Sequence, residues 1–99
     1  MASYVLTNKA VEDLSSIWEY TFDTWSERQA DKYYLELLQD CQLLAENQNL
    51  GRNYEKIHPA LFGYKSGEHL IFFRKLSLTQ IEITRILHAS MDLKNRIQE

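Results

Sequence analysis

The spacing of apolar residues changes period after the middle of the chain, and that change constrains the fold more than any other feature. From Leu14 to Ala45 apolar side chains return every three or four positions; from Leu61 to His88 they return every second. Leu14, Ile17, Trp18, Thr21, Phe22 and Trp25 share one face of a helix expected over residues 8–25, with Thr7 or Asn8 as its N-cap. Ala30, Tyr33, Tyr34, Leu37, Leu38, Cys41, Leu44 and Ala45 form the stripe of a second helix that ends near Asn47. Ser26 and Gln29 have the spacing of a capping box, in which each side chain satisfies a backbone donor left free at a helix start. Two amphipathic helices joined by almost no loop make an αα-hairpin.

The period-two segments flank that hairpin. "SYVLT" (3–7) reads as an opening strand. Residues 48–60, with the single proline Pro59, read as a connecting loop. "ALFGYKS", "HLIFFRK" and "QIEITRILH" then form a meander, with Ser66–Gly67–Glu68 as a tight turn in which glycine supplies a positive φ. Strict alternation puts Ile81, Ile83, Arg85 and Leu87 on one side of the last strand and Glu82, Thr84, Ile86 and His88 on the other. A short helix over about 90–97 closes the chain. The expectation is one α+β domain over residues 1–99, β-α-α-β-β-β with a short C-terminal helix, the helical hairpin covering one face of a small, antiparallel-rich twisted sheet.

Ninety-nine residues bury about two-thirds of their unfolded surface, enough for one core. The lone Cys41 lies on the second helical stripe, so it reads as a buried structural thiol suited to a reducing cytoplasm. "MASYVLTNKAVEDL" lacks the pattern of a signal peptide, and no segment has the length of a membrane span. A soluble cytoplasmic protein is expected. The net charge of -3 conceals a split: residues 1–50 carry three basic and nine acidic side chains, residues 51–99 eight basic and five acidic. Either the C-terminal half builds a cationic face for a polyanion or acidic partner, or the helices simply carry solvated carboxylates.

Motifs for chemistry are sparse. Glycines 51, 63 and 67 fit no phosphate-binding loop, and His58, His69 and His88 have no metal-ligand spacing, so no cofactor or metal is expected. Metal-free RNA cleavage needs a base, an acid and cations for the phosphorane charge; Lys65, His69, Arg74, Arg85 and His88 of the meander would be that set. Equally, such residues are common as solvated strand ends, and an arginine stem often covers apolar surface. No helix has the Lys/Arg density of a groove reader, which argues against sequence-specific DNA binding by this chain alone. Adjacent aromatics at Trp18 and Tyr20, and at Tyr33 and Tyr34, leave some rings pointing away from the hairpin seam, the mark of an apolar patch.

Four fragments carry a family resemblance: Ala10, Asp13, Leu14, Ile17 and Trp18 in the first helix, "LGR" at 50–52, "GEHLIFFRK" at 67–75 and "RILHASMDL" at 85–93. In that order the chain resembles a ParE-type toxin of the RelE/ParE superfamily. Ala89–Ser90 stand where the family usually has Gly–Arg, Asn8 where proline commonly opens the helix, and Phe73 where a tyrosine is frequent. The resemblance implies a cytoplasmic toxin that inhibits DNA gyrase by binding, without catalysis, and that a ParD-like antitoxin neutralises. Arg74, Arg85, His88, Met91, Lys94 and Arg96 are then the expected target contacts, and Trp18, Phe22, Trp25, Tyr33 and Tyr34 the expected antitoxin contacts. RelE-type relatives instead cut messenger RNA on the ribosome with several sheet cations and a C-terminal tyrosine or histidine. This sequence has no tyrosine after Tyr64 and no lysine pair flanking the first meander strand, but His88 keeps the ribonuclease alternative open. A binding module of the same fold that has lost toxicity is the third reading.

Overall fold

The computed structural model describes residues 1–90 together with Ile97. The elements run β1 (Ser3–Leu6), α1 (Asn8–Thr24), α2 (Glu27–Glu46), a 3-10 turn (Gln48–Leu50), β2 (Arg52–Asn53), β3 (Phe62–Ser66), β4 (His69–Lys75) and β5 (Gln80–His88). Both helices start as their sequences dictate. Thr7 accepts the Ala10 N–H at 3.1 Å and Ser26 accepts the Gln29 N–H at 3.1 Å, the serine half of the expected box. Trp18 Nε1 donates to Asp31 at 2.9 Å and ties the two helices together.

The sheet is mixed, in the order β1-β5-β4-β3-β2, with β1 parallel to β5 and the other pairs antiparallel. The expected loop 48–60 is therefore not wholly irregular. Its Arg52–Asn53 segment adds a fifth strand beside β3. The expected C-terminal helix lies outside the described residues, apart from Ile97.

A second correction concerns β5. Phe72 pairs with Arg85 but Phe73 pairs with Ile83, which leaves Thr84 as an extra residue, a β-bulge. The bulge reverses the alternation after it. Ile81, Ile83 and Ile86 join Ile71 and Phe73 under the helices, while Leu87 packs with Leu61, Leu70 and Phe72 on the other face. Arg85 and Leu87 therefore do not share a face with Ile81 and Ile83.

The main core is the seam between sheet and hairpin, where Ala10, Leu14, Ile17, Leu37, Cys41 and Leu44 meet those isoleucines and Phe73. Burial and nearby Asp40 push the Cys41 thiol up to about 12, so it stays a neutral packing group. Tyr54, Ile57 and Ile97 cover the smaller cluster on the opposite face.

Candidate functional site

Two surfaces of different chemistry emerge. The first is a groove at the end of the sheet where β4 begins and β5 ends. Its wall on α1 is Ser16, Ile17 and Tyr20; Trp25, Gln29 and Tyr33 continue it across the helix junction. His69 and His88 form its floor, being cross-strand partners with rings 5.3 Å apart in an edge-to-face arrangement. Two connected hollows of about 430 and 340 Å³ make up the groove. Tyr20 is 69% exposed and Trp25 74%, which is unusual for such large rings.

The floor is held from behind. The Tyr33 hydroxyl lies 2.6 Å from His69 Nδ1 and accepts the Glu68 N–H at 3.0 Å. Gly67, at φ 59°, makes room for that phenol, since a Cβ there would meet Tyr33 Cε1 at 2.7 Å. His88 Nδ1 accepts the Ser90 N–H at 3.1 Å and sits 2.7 Å from the serine hydroxyl. Burial, then the neighbouring His88, pulls the His69 imidazole down to about 4. Burial raises the Tyr33 phenol. At neutral pH the floor is therefore set by a neutral His69.

The second surface is the sheet face turned away from the helices. Lys65 and Arg74 project there, because Tyr64, Ile71 and Phe73 take the helix side. Arg85 leaves that face at the bulge and turns round the strand edge to Asp13 of α1, where both side chains are only 13% and 14% exposed.

The structure thus divides the residues that the sequence grouped. Of the five meander residues considered for RNA cleavage, His69 and His88 line the groove, Arg85, paired with Asp13, shares a smaller hollow with both of them, and Lys65 and Arg74 stand on the opposite face. Of the five aromatic candidates, Trp25 and Tyr33 share the groove. Trp18 and Phe22 form a separate stacked pair, 5.2 Å apart, and Tyr34 packs against the main core. Met91, Lys94 and Arg96 lie outside the described residues. Sequence reasoning did not assign roles to Asp13, Ser16 or Arg52, although Asp13 and Arg52 lie within the fragments that carried the resemblance. Among the described residues no group of three or more His, Cys, Asp or Glu side chains is arranged to hold a metal ion, and no helix is long and apolar enough to cross a membrane.

Comparison with known proteins gives one consistent result. The family model for the ParE toxin of the type II toxin–antitoxin system parDE matches residues 4–93. Toxin ParE1 of Caulobacter vibrioides is 33% identical over 94 residues, which is 95% of this chain and 96% of that protein. Toxin ParE1 of Mycobacterium tuberculosis is 32% identical over the same coverage. Toxin ParE of Escherichia coli is 29% identical over 99 residues, all of this chain and 96% of its own. A solved chain of the chromosomal ParDE system from P. aeruginosa superposes with a TM-score of 0.75 over 89% of this chain and 96% of its own, at 22% identity, and so shares the fold.

Proposed function

The chain belongs to the ParE toxin family, the toxin side of parDE type II toxin–antitoxin systems, and from that premise we propose that it inhibits DNA gyrase by binding the gyrase–DNA complex. It performs no chemistry of its own, and a ParD-like antitoxin neutralises it. The observation that most favours binding over catalysis is the dispersal of the ribonuclease set. Lys65 and Arg74 are separated from His69 and His88 by the sheet itself, and Asp13 neutralises Arg85. An acid–base pair also works best with pKa values near the operating pH, and His69 at about 4 is far from it.

On this reading Arg74, with Met91, Lys94 and Arg96 of the C-terminal segment, contacts the target, and His88, which lies on the floor of the aromatic groove, belongs to the antitoxin side instead. Arg85 is the residue that holds the end of β5 in place for them. The antitoxin covers the aromatic side of the molecule, with Trp25 and Tyr33 as anchors in the groove and the Trp18–Phe22 stack beside it. Large exposed rings suit that role, because a segment that folds on binding recovers its ordering entropy from a few apolar anchors.

The test is a titration of the purified chain into gyrase with plasmid and ATP, following supercoiling and trapped cleaved DNA. Inhibition that weakens in Arg74→Ala, and that a ParD-like antitoxin reverses, is the expected result. No effect at a large excess of folded protein would sink the gyrase reading, and ribosome-dependent cleavage of messenger RNA would then be the assay to run.

A further inference from the structure

The hydrogen-bond register gathers cations on the sheet face away from the helices. Arg52 stands opposite Gly63, Gly63 opposite Phe72, and Phe72 opposite Arg85, one row across four strands. Lys65 and Arg74 flank that row on the same face, and the side chains of Arg52, Lys65 and Arg74 are exposed. Strand spacing and rise put the Arg52 Cα about 8 Å from that of Lys65 and about 12 Å from that of Arg74. Lys9 and His58 stand with Arg74 at the margin, around a hollow of about 240 Å³.

Negative charge is concentrated on the other side. Glu12, Glu19, Asp23, Glu27, Asp31, Glu36 and Glu46 belong to the helices. Glu82, opposite Arg74, is the carboxylate on the cationic face among the described strand residues. The exposed helical carboxylates lie beyond a layer about 10 Å thick, close to one Debye length at 0.1 M salt, so the sheet face keeps its own positive potential.

The kind of partner follows from what this face lacks. Leu61, Leu70, Phe72 and Leu87 are buried beneath Tyr54, Ile57 and Ile97, and Val5 at the β1 edge is the one exposed large apolar strand residue there among those described. Protein interfaces draw their energy from buried apolar and aromatic anchors in a core depleted of charge. A phosphate backbone needs only Lys and Arg, through counterion release. We propose that this face is a phosphate-backbone surface for duplex DNA, on which Arg52, Lys65 and Arg74 each neutralise a phosphate. The inference rests on the gyrase reading for the source of that DNA, the duplex held by the enzyme.

The experiment is anisotropy of a labelled duplex of about 30 base pairs with the full chain, from roughly 25 to 200 mM salt. Three phosphate contacts give a log–log salt slope of about -2.7, and each of Arg52→Gln, Lys65→Gln and Arg74→Gln removes about 0.9 of it. These exposed substitutions leave the fold intact by circular dichroism. Absence of binding at the lowest salt, binding that the three variants do not change, or a clear preference for single-stranded RNA would each overturn the proposal. Supercoiling measured in parallel separates the two ideas. DNA binding without gyrase inhibition removes the gyrase reading alone, and gyrase inhibition undiminished in the Arg52→Gln/Lys65→Gln double variant removes this one alone.

Discussion

Asp13 grips Arg85 with both carboxylate oxygens, Oδ2 at 2.8 Å from Nε and Oδ1 at 3.1 Å from Nη2, and Oδ2 also accepts the Ile86 N–H at 2.9 Å. The reason lies at the edge of the sheet. β1 ends at Leu6, opposite Ile83, and beyond that point β5 has no strand on that side, only β4 on the other. Thr7 then donates its hydroxyl to the Thr84 carbonyl at 2.8 Å, and Asp13 accepts from Ile86, so α1 completes the hydrogen bonding that β1 leaves unfinished. Asp13→Ala removes the bidentate carboxylate from a mostly buried guanidinium and the acceptor from the Ile86 N–H together. We expect a loss of about 3 kcal/mol or more in urea unfolding. Arg85→Ala costs a similar amount, and the double variant costs less than the sum of the two. Additive costs would mean that the pair is not coupled.

Two glycines are required by what faces them. A Cβ on Gly67 would fall 2.8 Å from the Tyr33 hydroxyl, at a φ that L residues rarely adopt. A Cβ on Gly51 would overlap the ring of Phe73, which has no exposed surface. Gly67→Ala should destabilise the chain by about 1–2 kcal/mol. Gly51→Ala should cost about 1–3 kcal/mol through overpacking, with a matching fall in the urea midpoint. Unchanged midpoints would contradict these contacts.

How far the sequence carries can be judged element by element. The hairpin and the meander were legible because amphipathic stripes and alternation are repeated signals, as were the caps at Thr7 and Ser26. β2 was not, since two residues have no period and only the pairing with Phe62 and Gly63 makes them a strand. The bulge at Thr84 had one local trace, the adjacent apolar pair Ile86–Leu87 in an otherwise alternating run, and strict alternation overrode it. The surplus of aromatics foretold an exposed apolar surface, but not that Tyr20 and Trp25 would flank two histidines. That juxtaposition depends on the register of His69 with His88, which the bulge itself shifts.

His69 gives the fold a pH dependence with a definite sign. Its imidazole is held at about 4 by burial and by His88, with Glu68 and Asp13 acting weakly in the opposite sense and the Tyr33 hydroxyl on Nδ1. An unfolded histidine titrates near 6.5. Between those values the unfolded chain binds more protons than the folded one, so stability is full above about pH 6.5 and is lost as pH falls toward about 4. His69→Gln, compared with the parent at pH 7.5 and 4.5, should lose less of its urea midpoint on acidification. An identical loss in both proteins would show that His69 is not the group responsible.

Trp25 separates binding from folding more cleanly than any other residue. It caps α1 through its backbone N–H to Thr21, while its ring remains 74% exposed beside the groove. Replacement by alanine keeps the backbone bond and removes little buried area, so the unfolding free energy should change by no more than about 0.5 kcal/mol. If the ring anchors a ParD-like antitoxin, the same change costs about 2 kcal/mol of binding, roughly a thirtyfold rise in Kd, seen mainly as faster dissociation. Gyrase inhibition, read on the far side of the molecule, should be unaffected. A variant that binds antitoxin normally would move the antitoxin site away from this groove. One that lost antitoxin binding and gyrase inhibition together would put both partners on the same surface, against the division of aromatic and cationic faces argued above.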